Sequence, residues 1–124
     1  MPAHMKLRDK RVIITGGGGE AGLAAAEYFI KEGARVYIFD KNYDALMEAE
    51  CKITRIAGIY LVDVDDEESV KEGFAGLDST DGAGVDILVS LTGKNTLNSC
   101  LLEAVRRMEK QGQGVILIGR HTTL

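Results

Sequence analysis

Two cysteines, Cys51 and Cys100, are all that this 124-residue chain contains, and neither has a C-x-x-C partner or metal-ligand spacing beside it. A zinc site or a disulfide framework has nothing to build on, so no metal site is expected and both residues read as reduced core thiols. Long apolar runs are missing as well. Stretches such as Val12–Ile14 and Val115–Ile118 fall far short of the roughly 18–20 residues of a membrane span, and the N-terminus lacks a signal-peptide h-region. These absences point to a cytoplasmic protein with no membrane partner. Nor is there a basic stripe: fifteen Lys and Arg against nineteen Asp and Glu leave a net charge of −4. Without a cluster to neutralise phosphates along a duplex, nucleic acid is excluded as a partner. Internal repeats and low-complexity tracts are absent too.

What is present suits one compact domain. The composition, 45% hydrophobic and 27% charged, is that of an ordinary folded chain. At this length roughly two-thirds of the unfolded surface can be buried, enough for one layered core but not for a cofactor domain plus a separate substrate domain. Short β-branched runs at Val12–Thr15, Val36–Phe39, Ile59–Val62, Ile87–Leu91 and Val115–Ile118 alternate with longer amphipathic stretches. Each run is continuously apolar, as in strands covered by helices on both faces. The expectation is an α/β fold, a three-layer doubly wound parallel sheet of about five strands in the order 3-2-1-4-5.

The first helix is predicted over Glu20–Glu32, with Ala21, Ala24, Ala25, Tyr28 and Phe29 facing the sheet and Gly33 capping its end. A weaker helix is predicted over Asn42–Lys52, and the acids Asp65 to Glu68 open another that runs to about Leu77. Asp78–Gly84 has loop composition. The last helix, Leu97–Lys110, is expected to bury Leu97, Leu101, Ala104, Val105 and Met108, with Arg106, Arg107 and Lys110 suiting its C-terminal dipole.

Chemistry concentrates in Arg11–Gly22, RVIITGGGGEAG, where a strand runs into glycines and then a helix. Gly17, Gly19 and Gly22 satisfy G-x-G-x-x-G in the context that gives it meaning: a tight turn, close backbone approach to a pyrophosphate and close helix packing. The helix N-terminus beyond offers N–H groups and a positive dipole end to an anion. Asp40 ends the second strand eighteen positions after Gly22, where a carboxylate accepts both hydroxyls of an adenosine ribose. That placement favours NAD over NADP, although Lys41 beside it softens the like-charge repulsion of a 2′-phosphate.

These residues resemble the N-terminal half of the short-chain dehydrogenase/reductase family, whose NAD(P)-binding domain has the Rossmann fold. Thr15-Gly16-Gly17-Gly18-Gly19-Glu20-Ala21-Gly22 is similar to the T-G-x-x-G-x-x-G loop of the extended branch, with Glu20 where the shorter-chain branch has its middle glycine. Asp63-Val64 resembles the adenine-contacting pair, and Val85–Gly93, VDILVSLTG, resembles the fourth-strand V-D-I-L-V-N-N-A-G, departing at Ser90, Leu91 and Thr92. Leu102–Ile118 resembles the interface helix and fifth strand, so the likeness runs from about Leu7 to Arg120. It implies cofactor binding through Thr15, Gly16, Gly17, Gly19, Gly22, Asp40, Lys41, Asp63, Val64, Thr92 and Gly93. Residues 1–6, with the MPAHM start, are expected to be disordered or tag-like, and 7–124 a single Rossmann-type nucleotide-binding domain.

Two departures bear on activity. The Glu20 carboxylate would repel a diphosphate if it turned inward. The family's Ser and the Tyr-x-x-x-Lys helix that carry its chemistry have no counterpart through Leu124; His121 stands at the Ser position with Thr122 beside it, the weak catalytic candidates. Tyr37–Lys41 has the spacing, but on a strand i and i+4 lie ~13 Å apart and cannot cooperate. The leading expectation is an NAD(H)-binding module, a binding or sensing domain. The alternatives are an oxidoreductase that completes its site by oligomerisation, an S-adenosylmethionine-binding domain, and a ligand-free degenerate fragment. A homo-oligomer through the fifth strand and last helix is expected, because that strand is an unguarded apolar edge.

Overall fold

The computed structural model describes residues 6–82, 84–92 and 94–119. The elements alternate as β1 (Arg11–Thr15), α1 (Glu20–Lys31), β2 (Arg35–Asp40), α2 (Tyr43–Lys52), β3 (Gly58–Leu61), α3 (Glu67–Asp81), β4 (Ile87–Ser90), α4 (Ser99–Gln111) and β5 (Val115–Ile118). All strand pairs are parallel, and the sheet order is β3-β2-β1-β4-β5, as expected from the sequence.

Alternation along the buried strands divides the apolar residues between two cores. Ile13, Tyr37, Phe39, Val62 and Leu88 pack with Phe74 and Leu77 of α3 and with Leu101, Ala104 and Met108 of α4. Val12, Ile14, Val36, Ile38 and Val89 pack with Ala26 and Phe29 of α1 and with Leu46 and Ala49 of α2. Helices therefore cover both faces of the sheet, which is why the strands read as continuous apolar runs.

Several local expectations are corrected. The buried face of α1 is Gly22, Ala26 and Phe29, with Tyr28 58% exposed. Its rotation is fixed by a backbone contact at Gly22, which hydrophobic periodicity cannot register because glycine has no side chain. Asp66 caps α3 from outside, accepting from the Glu68 and Ser69 amides, and the helix continues through DSTD to Asp81 before Gly82 ends it at φ +88°. Hydroxyls at Ser79 and Thr80 bond back to the Gly76 carbonyl, so residues that favour turns in isolation are held helical here. Leu97 precedes α4 and is 71% exposed, while Cys100 takes the buried position. Arg107 does more than answer the helix dipole: its guanidinium reaches Asp78 at 2.6 and 2.8 Å, bonds Glu103 at 2.8 Å and lies 4.4 Å above the Phe74 ring. That contact clamps α3 to α4.

The two thiols differ sharply. Cys51 lies exposed on α2, contrary to the core position expected for it, and Cys100 is buried. Burial, with the Glu103 charge adding to it, pushes the Cys100 thiol up to about 12 from an ordinary 9.0. The unfolded chain therefore loses this proton first as pH rises, so the contribution to stability is complete below about pH 9 and declines toward about 12, by up to about 1.4 kcal/mol per pH unit. Urea midpoints should accordingly fall more steeply above pH 9 in the wild type than in Cys100→Ala. A soluble maleimide should label Cys51 in the folded protein and Cys100 only after unfolding.

Candidate functional site

In a doubly wound sheet the crevice lies beyond the carboxyl ends of the strands where the order reverses. Here that point is between β1 and β4. The chain leaves β1 through Gly16, whose φ of +75° suits glycine. The Gly16 amide donates to the Phe39 carbonyl at 2.8 Å, and its carbonyl accepts from Gly19 at 3.2 Å, closing the turn. A Cβ at Gly16 would stand 3.0 Å from the Thr92 Cβ, so the turn also lies against the segment that follows β4.

The remaining glycines divide by what surrounds them. Added Cβ atoms at Gly17, Gly18 and Gly22 would meet the Ile38 side chain at 2.6 Å, the Ala45 Cβ at 2.5 Å and the Gly17 Cα at 2.3 Å. These three let the turn close onto β2, onto α2 and onto α1 itself. Gly19 is different: the nearest atom to an added Cβ is the Gly16 carbonyl oxygen at 3.7 Å. Its space is open, and it is the N-cap of α1.

That N-cap sets α1 apart. Asn42, Asp66 and Asn98 cap α2, α3 and α4 through side-chain oxygens, whereas Gly19 supplies none to α1. First-turn N–H groups without a side-chain acceptor, at the positive end of a helix dipole, form an anion site. Glu20 stands exposed at the first turn. The Lys52 ammonium at the end of α2 is raised chiefly by its hydrogen bond to Glu48 and by that residue's charge, and Glu20 adds to the effect.

Asp40 meets the same turn from β2. Its two oxygens accept the Gly18 amide at 3.1 Å and the Asn42 amide at 2.9 Å, so one carboxylate anchors both the glycine turn and the entry to α2. Gly18, Ala45 and Asn42 were not legible as site residues; the G-x-G-x-x-G pattern leaves Gly18 as a variable position, yet its missing Cβ is what admits Ala45. Thr15 is 1% exposed; its hydroxyl donates to the Val89 carbonyl at 3.5 Å and accepts the Leu91 amide at 3.2 Å. Thr15 therefore ties β1 to β4 and positions the turn from beneath.

Beyond β3 and β4 lies a pocket of ≈ 240 Å³ lined by Lys41, Val62, Asp63, Val64, Asp65, Thr92 and Lys94. It brings together Lys41, Asp63, Val64 and Thr92, four residues singled out by the sequence, and adds Asp65 and Lys94. Asp63 Oδ1 accepts the Asp65 amide at 3.0 Å, and Asp65 accepts the Lys94 amide at 3.2 and 3.4 Å. The Val64 side chain is in the core, and its carbonyl accepts the Cys100 amide at 3.4 Å. Gly93, His121 and Thr122 lie outside the described residues. Tyr37 is 1% exposed and accepts a bond from Arg35 Nε at 3.3 Å; this buried tyrosine is no partner for Lys41. Among the described residues no group of His, Cys, Asp and Glu could hold a metal ion, and no helix is long and apolar enough to cross a membrane.

Known proteins resemble this chain in sequence and fold. The family model for short chain dehydrogenases matches residues 10–108. Sorbitol dehydrogenase of Cereibacter sphaeroides is 37% identical over 86 residues, 69% of this chain and 33% of that protein. The uncharacterised oxidoreductase YxbG of Bacillus subtilis (strain 168) is 42% identical over 69 residues, 53% of this chain and 25% of its own. A crystal structure of NAD+-bound xylitol dehydrogenase superposes with a TM-score of 0.80 at 25% identity, over 91% of this chain and 53% of that one. The chain thus spans about half the length of that solved relative and a third or less of the two curated ones. With the strand order, the glycine turn and the family match in agreement, the chain belongs to the short-chain dehydrogenase family.

Proposed function

We propose that this chain is an NAD(H)-binding unit, with the glycine turn and the first turn of α1 receiving the diphosphate and Asp40 the adenosine ribose. The observation that carries the reading is the α1 N-terminus: an uncapped helix start beside a glycine with open space, built by three glycines that cannot carry a Cβ without collision. Amides and dipole together bind an anion there. Asp40 stands next to this turn, its oxygens facing amides that hold it in place. The pocket bounded by Lys41, Asp63 and Thr92 would receive the adenine end. These residues fit a dinucleotide; when bound, its nicotinamide supplies hydride transfer.

In this reading the chain's own residues bind and orient the cofactor. Calorimetric titration with NAD, NADH, NADP and S-adenosylmethionine tests it. Saturable NAD binding is the expected result; binding of S-adenosylmethionine alone, or of nothing, would overturn the proposal.

The reading includes a homo-oligomer with a second copy against β5 and α4. Among the described residues β5 pairs only with β4, and Val115, Leu117 and Ile118 are 51, 46 and 52% exposed. An apolar edge without a charge or proline favours strand pairing. Light scattering at micromolar concentration should give at least a dimer of the 13.4 kDa chain; a 13.4 kDa particle would contradict this.

A further inference from the structure

The sheet ends at β5 in a strand that is apolar on both faces. By register, Ile116 continues the row of Leu88 on the side of α3 and α4, while Val115 and Leu117 continue the rows of Ile87 and Val89 on the side of α1 and α2. A groove flanks the strand on each face: one of ≈ 500 Å³ bounded by Val105, Met108 and Ile116, the other of ≈ 280 Å³ bounded by Leu7, Ile87 and Val115. Gly114 lines both, so no side chain separates them at the start of the strand. The opposite edge differs: β3 is half-buried at three of its four positions, whereas β5 is exposed at three of four.

Backbone polarity decides which residues a neighbour meets. The Val115 amide donates to the Asp86 carbonyl and the Gly119 amide to the Ser90 carbonyl, both at 2.9 Å. Alternate residues of a strand bond to the same neighbour, so Val115, Leu117 and Gly119 face β4, and Gly114, Ile116 and Ile118 point their N–H and C=O groups outward. A second β5 running antiparallel matches this edge. With a two-fold axis normal to the sheet at Ile116, outward residues face outward residues: Ile116 meets its own copy, and Ile118 meets Gly114 of the second copy. The faces match as well. Ile118 then falls over Gly114 of the second copy in the groove beside Met108, and Leu117 falls opposite Val115 in the groove beside Leu7. An occupant of this edge must be apolar on both faces and uncharged, which is the composition of β5 itself. Pairing β5 with β3 of another copy would be heterologous and would not close, whereas self-pairing closes at two copies.

We propose that two copies of this chain join β5 to β5 antiparallel about an axis at Ile116, merging their two five-stranded sheets into one. The inference rests on the homo-oligomer reading above and specifies its contact, a strand ladder of roughly six backbone hydrogen bonds with Leu117 and Ile118 seated in the grooves of the second copy.

Ile118→Pro tests the ladder, because proline removes an N–H that points outward and leaves the inward bonds of Leu117 and Gly119 in place. Light scattering across a concentration series should give twice 13.4 kDa for the wild type. Ile118→Pro should weaken dimerisation about tenfold or more, two hydrogen bonds being lost across the axis, and Ile118→Ala, which keeps the N–H, should weaken it less. Circular dichroism checks that each variant is folded. Disulfide trapping in a Cys51→Ser background reads the register independently. Under mild oxidation Ile116→Cys should link two copies, the Cα atoms of such a pair lying ~5.5 Å apart, while Leu117→Cys, roughly 8 Å from its own copy, should not. If Ile118→Pro unfolds the chain, the trapping pair decides alone. A dimer unaffected by Ile118→Pro, or one linked through Leu117→Cys and not Ile116→Cys, would overturn the inference and leave the homo-oligomer reading standing. A wild-type monomer would remove both, and a mass that keeps growing with concentration would overturn the closed pair.

Discussion

Gly22→Ala should destabilise the protein by about 3 kcal/mol, at the upper end of the usual cost of overpacking, and Gly19→Ala should leave stability almost unchanged while weakening NAD at least tenfold. Alanine is the better helix former by about 1 kcal/mol, so propensity alone predicts that Gly22→Ala stabilises α1. Packing reverses the sign. The new Cβ would stand 2.3 Å from the Gly17 Cα and 2.7 Å from both the Gly16 oxygen and the Gly17 carbonyl carbon. All three are backbone atoms, and no rotamer change can relieve such a contact. Either α1 lifts from the turn or the turn opens. At Gly19 the nearest atom is 3.7 Å away, and φ is −84°, a value any residue adopts. A methyl there takes space assigned to the diphosphate and disturbs nothing else. Urea unfolding and NAD titration of the two variants separate the glycine that builds the site from the glycine that faces the ligand. Equal stability losses in both would refute that division.

Asp40→Ala should lower NAD affinity by about 10- to 100-fold, the loss expected when a charged acceptor of ribose hydroxyls is removed. It should also reduce folding stability by about 1 kcal/mol, because the part-buried Gly18 amide loses its acceptor. The two effects are separable. Asp40→Asn keeps one acceptor oxygen for the turn and should recover most of the stability, yet it lacks the charge that draws both hydroxyls and should remain weak toward NAD. A variant pair in which affinity merely follows stability would assign Asp40 a structural role alone.

The layered fold was legible because its signals are local and repeated. Five apolar runs of strand length, each followed by helix-like periodicity, leave few arrangements other than a covered parallel sheet, and the crossover rules then restrict the order. The glycine turn was legible for a related reason: few side chains could stand where Gly16 or Gly22 stand. What periodicity missed were contacts made without side chains. The rotation of α1 follows from Gly22 touching Gly17, so Ala21 and Ala24 read as core residues and are exposed. The extension of α3 depends on hydroxyl bonds to the Gly76 carbonyl, and the exposure of Cys51 on α2 depends on which helix face meets the sheet. Asp65 and Lys94 were invisible as a unit because their contact spans 29 positions and arises only when the loops after β3 and β4 are brought together.

The claim on which the functional reading depends is that amides at the start of α1 hold the diphosphate of a dinucleotide. Backbone amide NMR of isotopically labelled protein measures this directly during titration with NAD. Saturable shifts should be largest at Gly17, Gly18, Gly19, Glu20 and Ala21, with smaller ones at Lys41 and Thr92, and inorganic pyrophosphate should move the first group but not the second. Saturation with NAD that leaves the Gly17–Ala21 amides unmoved would contradict the account, even if the protein bound the cofactor elsewhere.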